Sequence, residues 1–254
     1  MLESYIKEKL ETKKILLMTH IVMGYPTLEA SFEMIGEMVD AGVDLMELQI
    51  PFSEPMADGP VIVKANQQAI DNGTRVADCF RMAQKAARTF PIPFLFMTYA
   101  NILFRQGMND FARVMAEMDI QGAIVPDLPP EEGGEYLAAM AAHQRHPIFI
   151  FSPQTRDSRM ARLSDLGSGF VYCMARTGVT GGATRFSTDT DAYLARCRQA
   201  TSLPLAVGFG IKERADVQYL TGKAEIAVVG SQTLRVAAAN GVEAVGPFIR
   251  CLFP

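Results

Sequence analysis

Eight short apolar segments alternate with longer amphipathic segments along this chain, and the alternation limits the folds that it can adopt. The apolar segments are mostly β-branched or aromatic, as is typical of parallel strands buried on both faces. The predicted strands are Ile15–Met23, Val43–Ile50, Phe94–Tyr99, Ala123–Pro126, Ile148–Phe151, Phe170–Met174, Leu205–Phe209 and Ile226–Val229. The pattern therefore predicts an α/β protein in which helices connect parallel strands.

Helical patterns follow the strands, without a linker or a change in composition. The sequence predicts helices at Leu28–Ala41, Asn109–Met118, Pro130–His143, Asp157–Leu166, Thr190–Thr201, Glu213–Leu220 and Thr233–Cys251. We predict a single (β/α)8 TIM-barrel domain over residues 1–254, with an extra amphipathic helix at the N-terminus. A doubly wound open sheet is the alternative, but no GxGxxG motif follows the first strand.

Composition excludes several classes of function. The 254 residues are 49% hydrophobic and 20% charged, and the net charge of −4 argues against general nucleic-acid binding. The four cysteines contain no CxxC pair, so neither a disulfide framework nor a metal site is expected. No apolar segment approaches the ~20 residues that span a bilayer, and the N-terminus does not resemble a targeting peptide. We expect a soluble cytoplasmic protein.

Two carboxylates mark a candidate active site. Glu47 lies within an apolar strand, where a carboxylate is costly without a partner or a chemical role. Asp58 follows in a loop rich in proline and glycine, just beyond the end of that strand. Separately, Glu47 could be a core acid paired with Lys or Arg, and Asp58 could form a turn before Gly59. Together they predict two acids that contact one substrate from opposite sides.

Glycine-rich segments follow the last three predicted strands. They begin at Gly178, Gly208 and Gly230, and the third precedes a predicted helix. Glycine lets backbone N–H groups approach an anion, and the last loops of such barrels commonly bind phosphate. Each segment alone could be a simple connecting turn. The three together predict a substrate that carries a phosphate monoester.

The order of these motifs resembles one enzyme family. The segments GVDLMELQIPFSEPMADGP, MTYAN, IVPDLPPEE, ARTGVTG, AVGFGI and VVGS together resemble the tryptophan synthase alpha subunit, from about Gly24 to Ser231. The resemblance implies a retro-aldol cleavage of indole-3-glycerol phosphate to indole and glyceraldehyde-3-phosphate, in the last stage of tryptophan biosynthesis.

The resemblance also implies three catalytic residues. Glu47 matches the acid/base that protonates C3 of indole and helps to move the glycerol hydroxyl proton. A buried carboxyl group can hold a proton often enough to act as an acid. Asp58 matches the loop aspartate that stabilises positive charge on the indole nitrogen, and Tyr172 matches a strand tyrosine beside the glutamate.

Further residues are implied for binding and closure. Gly181, Gly210, Gly230 and Ser231 match phosphate-binding positions, and Phe209 matches a residue near them. Arg176 and Thr180 match the loop that closes over the site, where the threonine is expected to meet the loop aspartate.

The chain departs from the family pattern on two strands. His20 stands where the family has phenylalanine, and Gln49 stands where it usually has glycine. We hypothesise that the two side chains form a hydrogen-bonded pair that fills part of the indole pocket and adjusts Glu47. Glu54 replaces the usual aspartate of the loop, at a position expected to face a partner.

The resemblance implies a beta subunit that contains pyridoxal phosphate, in an α2β2 complex, and no cofactor in this chain. Two alternative functions remain at this stage. One is a weakly active or silent barrel that mainly activates the beta subunit. The other is a different sugar-phosphate enzyme with the same fold.

Overall fold

A single sheet of parallel strands forms the centre of the molecule. The structure is a computed structural model that describes residues 2–174, 188–208 and 210–253. The strands are β1 (Leu16–Val22), β2 (Leu45–Gln49), β3 (Phe94–Met97), β4 (Gly122–Ile124), β5 (His146–Ile148), β6 (Ile150–Phe151), β7 (Val171–Met174), β8 (Leu205–Gly208) and β9 (Ile226–Val229). They agree with the eight predicted segments to within two residues at most ends, except that Ile148–Phe151 belongs to two short strands.

The strand order shows that the sheet is a barrel. The order is β5-β4-β3-β2-β1-β9-β8-β7-β6, and every pairing is parallel. Only Phe149 separates β5 from β6, so the first and last strands of this order are consecutive in the chain. The predicted (β/α)8 barrel is confirmed.

Helices surround the barrel. They are α1 (Leu2–Leu10), α2 (Leu28–Asp40), α3 (Pro60–Asp71), α4 (Val76–Thr89), α5 (Ala100–Gln106), α6 (Met108–Glu117), α7 (Gly134–Ala142), α8 (Asp157–Leu166), α9 (Thr188–Ala200), α10 (Arg214–Leu220), α11 (Ser231–Asn240), a 3-10 turn at Val242–Ala244, and α12 (Val245–Leu252). None of the described helices is long and apolar enough to cross a membrane.

Two helix predictions were wrong in their bounds. The helix expected from Pro130 begins four residues later, because Glu132 and Gly133 form turns onto Pro129 and Pro130. The helix expected over 233–251 is divided at Gly241, and glycine weakens a helix interior. No bounds were predicted for α3, α4 and α5.

Alternation along the strands separates two hydrophobic clusters. The inner cluster fills the barrel and includes Leu16, Met18, Leu45 and Leu95. It also contains Leu2 and Ile6 of α1, so the predicted extra helix packs against the inner cluster. The outer cluster lies between the strands and the surrounding helices. The inner cluster occupies the lower part of the barrel. The polar inward-facing residues lie above it, towards the carboxyl ends of the strands, where barrel active sites form.

Candidate active site

A cavity opens at the carboxyl ends of the strands and brings together most of the predicted site residues that the structure describes. Its polar lining includes His20, Glu47, Asp58, Tyr172 and Ser231. The apolar part of its wall is formed by Ile62, Met97, Ile124, Pro126, Ile150, Met174, Ile211 and Val228. A cavity with an apolar wall and a few converging polar groups fits a small ligand with an aromatic part.

Glu47 lies in the centre of β2 and is 3% exposed. In the parallel pairing of β1 with β2, His20 is its direct neighbour. Nδ1 of His20 lies 3.0 Å from Oε2 of Glu47, and both side chains are buried. Glu47 therefore has a buried partner, but that partner is a histidine and not the lysine or arginine that a structural core acid would be expected to have.

The environment of His20 favours its charged form. Burial lowers the pKa of His20, but the hydrogen bond and charge of Glu47, the charge of Asp58 and the nearby Gln49 amide together raise it above its ordinary value. An imidazolium beside a buried carboxylate makes a charge-assisted hydrogen bond, which is stronger than a neutral one.

Asp58 is held by two buried donors. Nε2 of Gln49 donates to its Oδ2 at 2.6 Å, and the hydroxyl of Tyr99 donates to the same oxygen at 2.9 Å. The backbone N–H of Ala57 donates to the Tyr99 hydroxyl at 3.3 Å, which ties the loop to β3. Burial raises the pKa of Asp58 above its ordinary value, although the His20 charge and the two hydrogen bonds oppose that shift.

The hypothesis of a hydrogen-bonded His20–Gln49 pair stays a prediction, since the Gln49 amide lies near enough to contribute to the raised pKa of His20. The hydrogen bonds that the structure shows run between His20 and Glu47 and from Gln49 to Asp58. Among the described residues, Nε2 of His20 and Oε1 of Gln49 have no hydrogen-bond partner. His20 lines the cavity as expected, whereas Gln49 lies outside its lining and acts on the site through Asp58.

Sequence reasoning missed Tyr99 as a site residue. It is fully buried at the end of β3, and its ring stacks on Phe52 with centroids 5.0 Å apart. Burial, followed by the charge of Asp58, raises the pKa of Tyr99, so its hydroxyl stays a donor. The signal was a tyrosine at a strand end, but nothing in the sequence connected it to Asp58.

Tyr172 projects from β7 into the same cavity. Burial, followed by the charges of Glu47 and Asp58, raises the pKa of Tyr172 well above its ordinary value. Its ring crosses Gly208 so closely that a Cβ there would lie 2.2 Å from the hydroxyl oxygen. This glycine, which belongs to a segment predicted for phosphate, makes room for the tyrosine.

The same cavity carries the described part of the predicted phosphate site. Gly210, Gly230 and Ser231 line the cavity there. Gly230 caps α11, which begins at Ser231, so backbone N–H groups and the positive end of the helix dipole are available to an anion. Arg176, Thr180, Gly181 and Phe209 lie outside the described residues.

Three buried polar atoms at the acid pair have no hydrogen-bond partner among the described residues. They are Oε1 of Glu47, Nε2 of His20 and Oε1 of Gln49. Buried polar atoms are usually satisfied, so the two that belong to the cavity-lining Glu47 and His20 suit a site that binds a polar ligand. In the described part of the chain, no group of three or more His, Cys, Asp or Glu side chains could hold a metal ion.

A comparison with known families decides the identity of the barrel. The family model described as "Tryptophan synthase alpha chain" matches residues 6–245. This chain belongs to the tryptophan synthase alpha chain family. It is therefore a lyase of tryptophan biosynthesis, of the type that cleaves indole-3-glycerol phosphate, and not another sugar-phosphate enzyme of the same fold.

Individual relatives agree with this family. The tryptophan synthase alpha chain of Desulforapulum autotrophicum is 61% identical over 252 residues, which cover 99% of this chain and 100% of the relative. That of Syntrophotalea carbinolica is 60% identical over the same length and coverage. A solved structure of Mycobacterium tuberculosis tryptophan synthase superimposes with a TM-score of 0.93 at 29% identity, covering 99% of this chain and 96% of the other.

Proposed function

We propose that this tryptophan synthase alpha chain performs the retro-aldol cleavage of indole-3-glycerol phosphate with Glu47 as acid and base and Asp58 as the charged partner of the ring nitrogen. The observation that carries the proposal is one cavity lined by both carboxylates and also by Gly210, Gly230 and Ser231. This arrangement gives the substrate a direction, with its phosphate at Ser231 and its indole ring between the two acids.

Glu47 carries out both proton transfers of the reaction. Protonated Glu47 gives its proton to C3 of the indole ring, which leaves a carboxylate and a cationic ring. The carboxylate then takes the proton of the C1′ hydroxyl. The C3–C1′ bond breaks, its electron pair returns to the ring, and the C1′–O bond becomes the carbonyl of glyceraldehyde-3-phosphate. Glu47 ends protonated, as it began, so the cycle is balanced.

Asp58 contributes in its ionised form. Positive charge develops on the indole nitrogen while C3 is protonated, and a fixed carboxylate near that N–H stabilises it without reorganisation. The bonds from Gln49 and Tyr99 hold Oδ2, so Oδ1 is the oxygen left for the ring N–H. Tyr172 lines the cavity near both acids, and its neutral ring supports the position of the indole between them.

The phosphate monoester binds on the side of Gly210, Gly230 and Ser231. The family resemblance adds Gly181 and Phe209, which lie outside the described residues. Backbone N–H groups at the start of α11 supply donors there, because the first four N–H groups of a helix have no partner within it. The family resemblance implies that Arg176 and Thr180, which lie outside the described residues, belong to a loop that closes over the bound substrate.

We further propose a beta subunit as the partner, in an α2β2 complex in which only that subunit carries pyridoxal phosphate. Two large hydrophobic side chains are exposed and are available to a partner. Met56, in the loop that holds Asp58, is 74% exposed, and Phe104 of α5 is 62% exposed. Met23 and Met108 are buried and serve the core instead. The described cysteines are all free, which suits a cytoplasmic location.

One observation supports a second candidate function. Both acids already have partners within the chain, since His20 bonds Glu47 and Gln49 bonds Asp58. A barrel whose acids stay in these bonds would be silent alone and would act mainly by activating its beta subunit.

Release of indole from indole-3-glycerol phosphate separates the two functions. The purified chain is assayed alone and with a beta subunit, and the beta reaction is assayed with and without the chain. Cleavage in either condition supports the lyase. Activation of the beta reaction without any cleavage supports the second candidate and contradicts the first.

A further inference from the structure

His20 is the buried side chain that lies closest to the reacting carboxylate and that the mechanism above does not use. It lines the cavity, is 4% exposed and is the direct strand neighbour of Glu47. Its backbone is also fixed, because Oγ1 of Thr233 donates to the carbonyl of His20 at 3.3 Å and to that of Gly230 at 2.6 Å. The same threonine thus links His20 to the phosphate side of the cavity.

The hydrogen bond from His20 makes the two carboxylate oxygens of Glu47 different from each other. Oε2 lies 3.0 Å from Nδ1 of His20, whereas Oε1 has no partner among the described residues. We propose that His20 is a positioning residue for the lyase reaction: its Nδ1–H holds Oε2, leaves Oε1 to the substrate, and balances the negative charge that Glu47 acquires when it protonates the ring. The inference rests on the proposed role of Glu47.

The charge of His20 is set by groups from several elements. Glu47 and Gln49 face it from β2, Asp58 from the following loop and Tyr172 from β7, while the wall at β9 and α11 contributes the uncharged Val228, Gly230 and Ser231. Two acids and no described base surround the imidazole. The net effect is a raised pKa for His20, which favours its charged form.

The same shift predicts the direction of the pH effect. The folded protein binds the His20 proton more tightly than the unfolded chain does, because its pKa is raised. The contribution of the pair to stability is therefore complete below the ordinary histidine pKa and is lost as pH rises through the raised value. Over the same pH range His20 loses the charge that balances Glu47, so the rate of cleavage should fall.

Two substitutions separate the hydrogen bond from the charge. In His20→Asn the side-chain amide replaces Nδ1–H as a neutral donor, whereas His20→Phe removes both donor and charge. We expect kcat to fall by about 10- to 100-fold in His20→Phe, the range for a lost hydrogen bond to a charged group, with less change in KM. His20→Asn should recover part of kcat, but its pH profile should lack the fall at high pH that belongs to His20.

Direct titration provides a readout that does not depend on activity. The chain has three histidines, so protein labelled with ¹⁵N-histidine gives three assignable signals. The His20 signal should titrate above the ordinary range, and Glu47→Gln should lower its midpoint. His143→Asn is the control, because His143 bonds Asn109 at the surface and its replacement should leave the His20 midpoint unchanged.

Each result bears on one claim. An ordinary midpoint for His20, a midpoint that Glu47→Gln does not move, or an unchanged kcat and pH profile in folded His20→Phe would overturn the role of His20. Cleavage that survives in Glu47→Gln would instead overturn the proposed function. If His20→Phe does not fold, the titration and His20→Asn still decide the question.

Discussion

Gln49 donates a 2.6 Å hydrogen bond to the carboxylate of Asp58, and this bond links a residue that departs from the family pattern to the loop acid. Asp58 is consequently not a free loop side chain. It is 6% exposed and shares one oxygen between Gln49 and Tyr99. The structure holds it at the cavity wall.

Removing either donor should shift the acid limb of the pH profile. Burial raises the pKa of Asp58, and the bonds from Gln49 and Tyr99 limit that rise. Gln49→Leu or Tyr99→Phe should therefore raise this pKa further. Since Asp58 acts as a carboxylate, cleavage falls as pH drops through its pKa, so the acid limb of kcat/KM should move to higher pH.

A surface pair provides the control for this prediction. Gln67 makes the same kind of bond to Asp71 at 2.8 Å on the exposed face of α3. Gln67→Leu should leave the profile in place. An acid limb that stays at its wild-type position in both Gln49→Leu and Tyr99→Phe would show that neither donor tunes Asp58.

Asp58→Asn should reduce kcat by on the order of 10²- to 10⁴-fold, the range for a positioned charge in catalysis. The amide oxygen can still accept from Gln49 and Tyr99, so the loop should keep its place while the charge is lost. Steady-state indole release measures the effect. A loss smaller than about 10-fold would contradict the assignment of charge stabilisation to this residue.

Gly208→Ala should displace Tyr172. The added Cβ would lie 2.2 Å from the tyrosine hydroxyl and 2.6 Å from Cζ, which requires the ring to move. We expect a loss of about 1–3 kcal/mol in the free energy of unfolding, as for overpacking, together with reduced cleavage. Chemical denaturation and the indole assay measure the two effects.

Gly134→Ala is the matched control for that substitution. Gly134 begins α7, and a Cβ there would have nothing within 4 Å. Alanine should be neutral or stabilising by up to about 1 kcal/mol. Equal effects of the two substitutions would refute the steric explanation.

Gly210→Ala should weaken the binding of glycerol phosphate. Gly210 lines the phosphate side of the cavity with φ +91°, a region in which a Cβ costs about 1–2 kcal/mol. Gly222 has φ +81° and open space around it, away from the cavity. Gly222→Ala should therefore introduce similar backbone strain without weakening the binding of glycerol phosphate. Calorimetric titration of both variants compares them, and equal affinities would contradict a phosphate site at Gly210.

Much of the fold could be predicted because its determinants are local. Runs of β-branched and aromatic residues define strands such as Ile226–Val229, which the structure reproduces residue for residue. The helices α3 and α4 were missed although they join β2 to β3. Both helices have polar faces, and α3 begins with a proline directly after the loop that carries Asp58. These features obscured the helix pattern in the sequence.

The site was predictable in its residues but not in its partners. Glu47 was recognisable because a carboxylate in an apolar strand needs an explanation. Its pairing with His20 depends on the register between β1 and β2, which the sequence of neither strand determines. The contact of Tyr99 with Asp58 joins residues 41 positions apart through a loop conformation, and no local pattern reveals it.

In the proposed mechanism, Glu47 moves both protons of the cleavage reaction. The most direct test is the turnover of indole-3-glycerol phosphate by Glu47→Gln, measured with glycerol phosphate affinity in the same preparation and with the beta subunit present. We predict that turnover falls by at least about 10²-fold while the affinity is unchanged, because glutamine keeps the shape but cannot exchange a proton. A variant that retains most of its turnover would contradict the account.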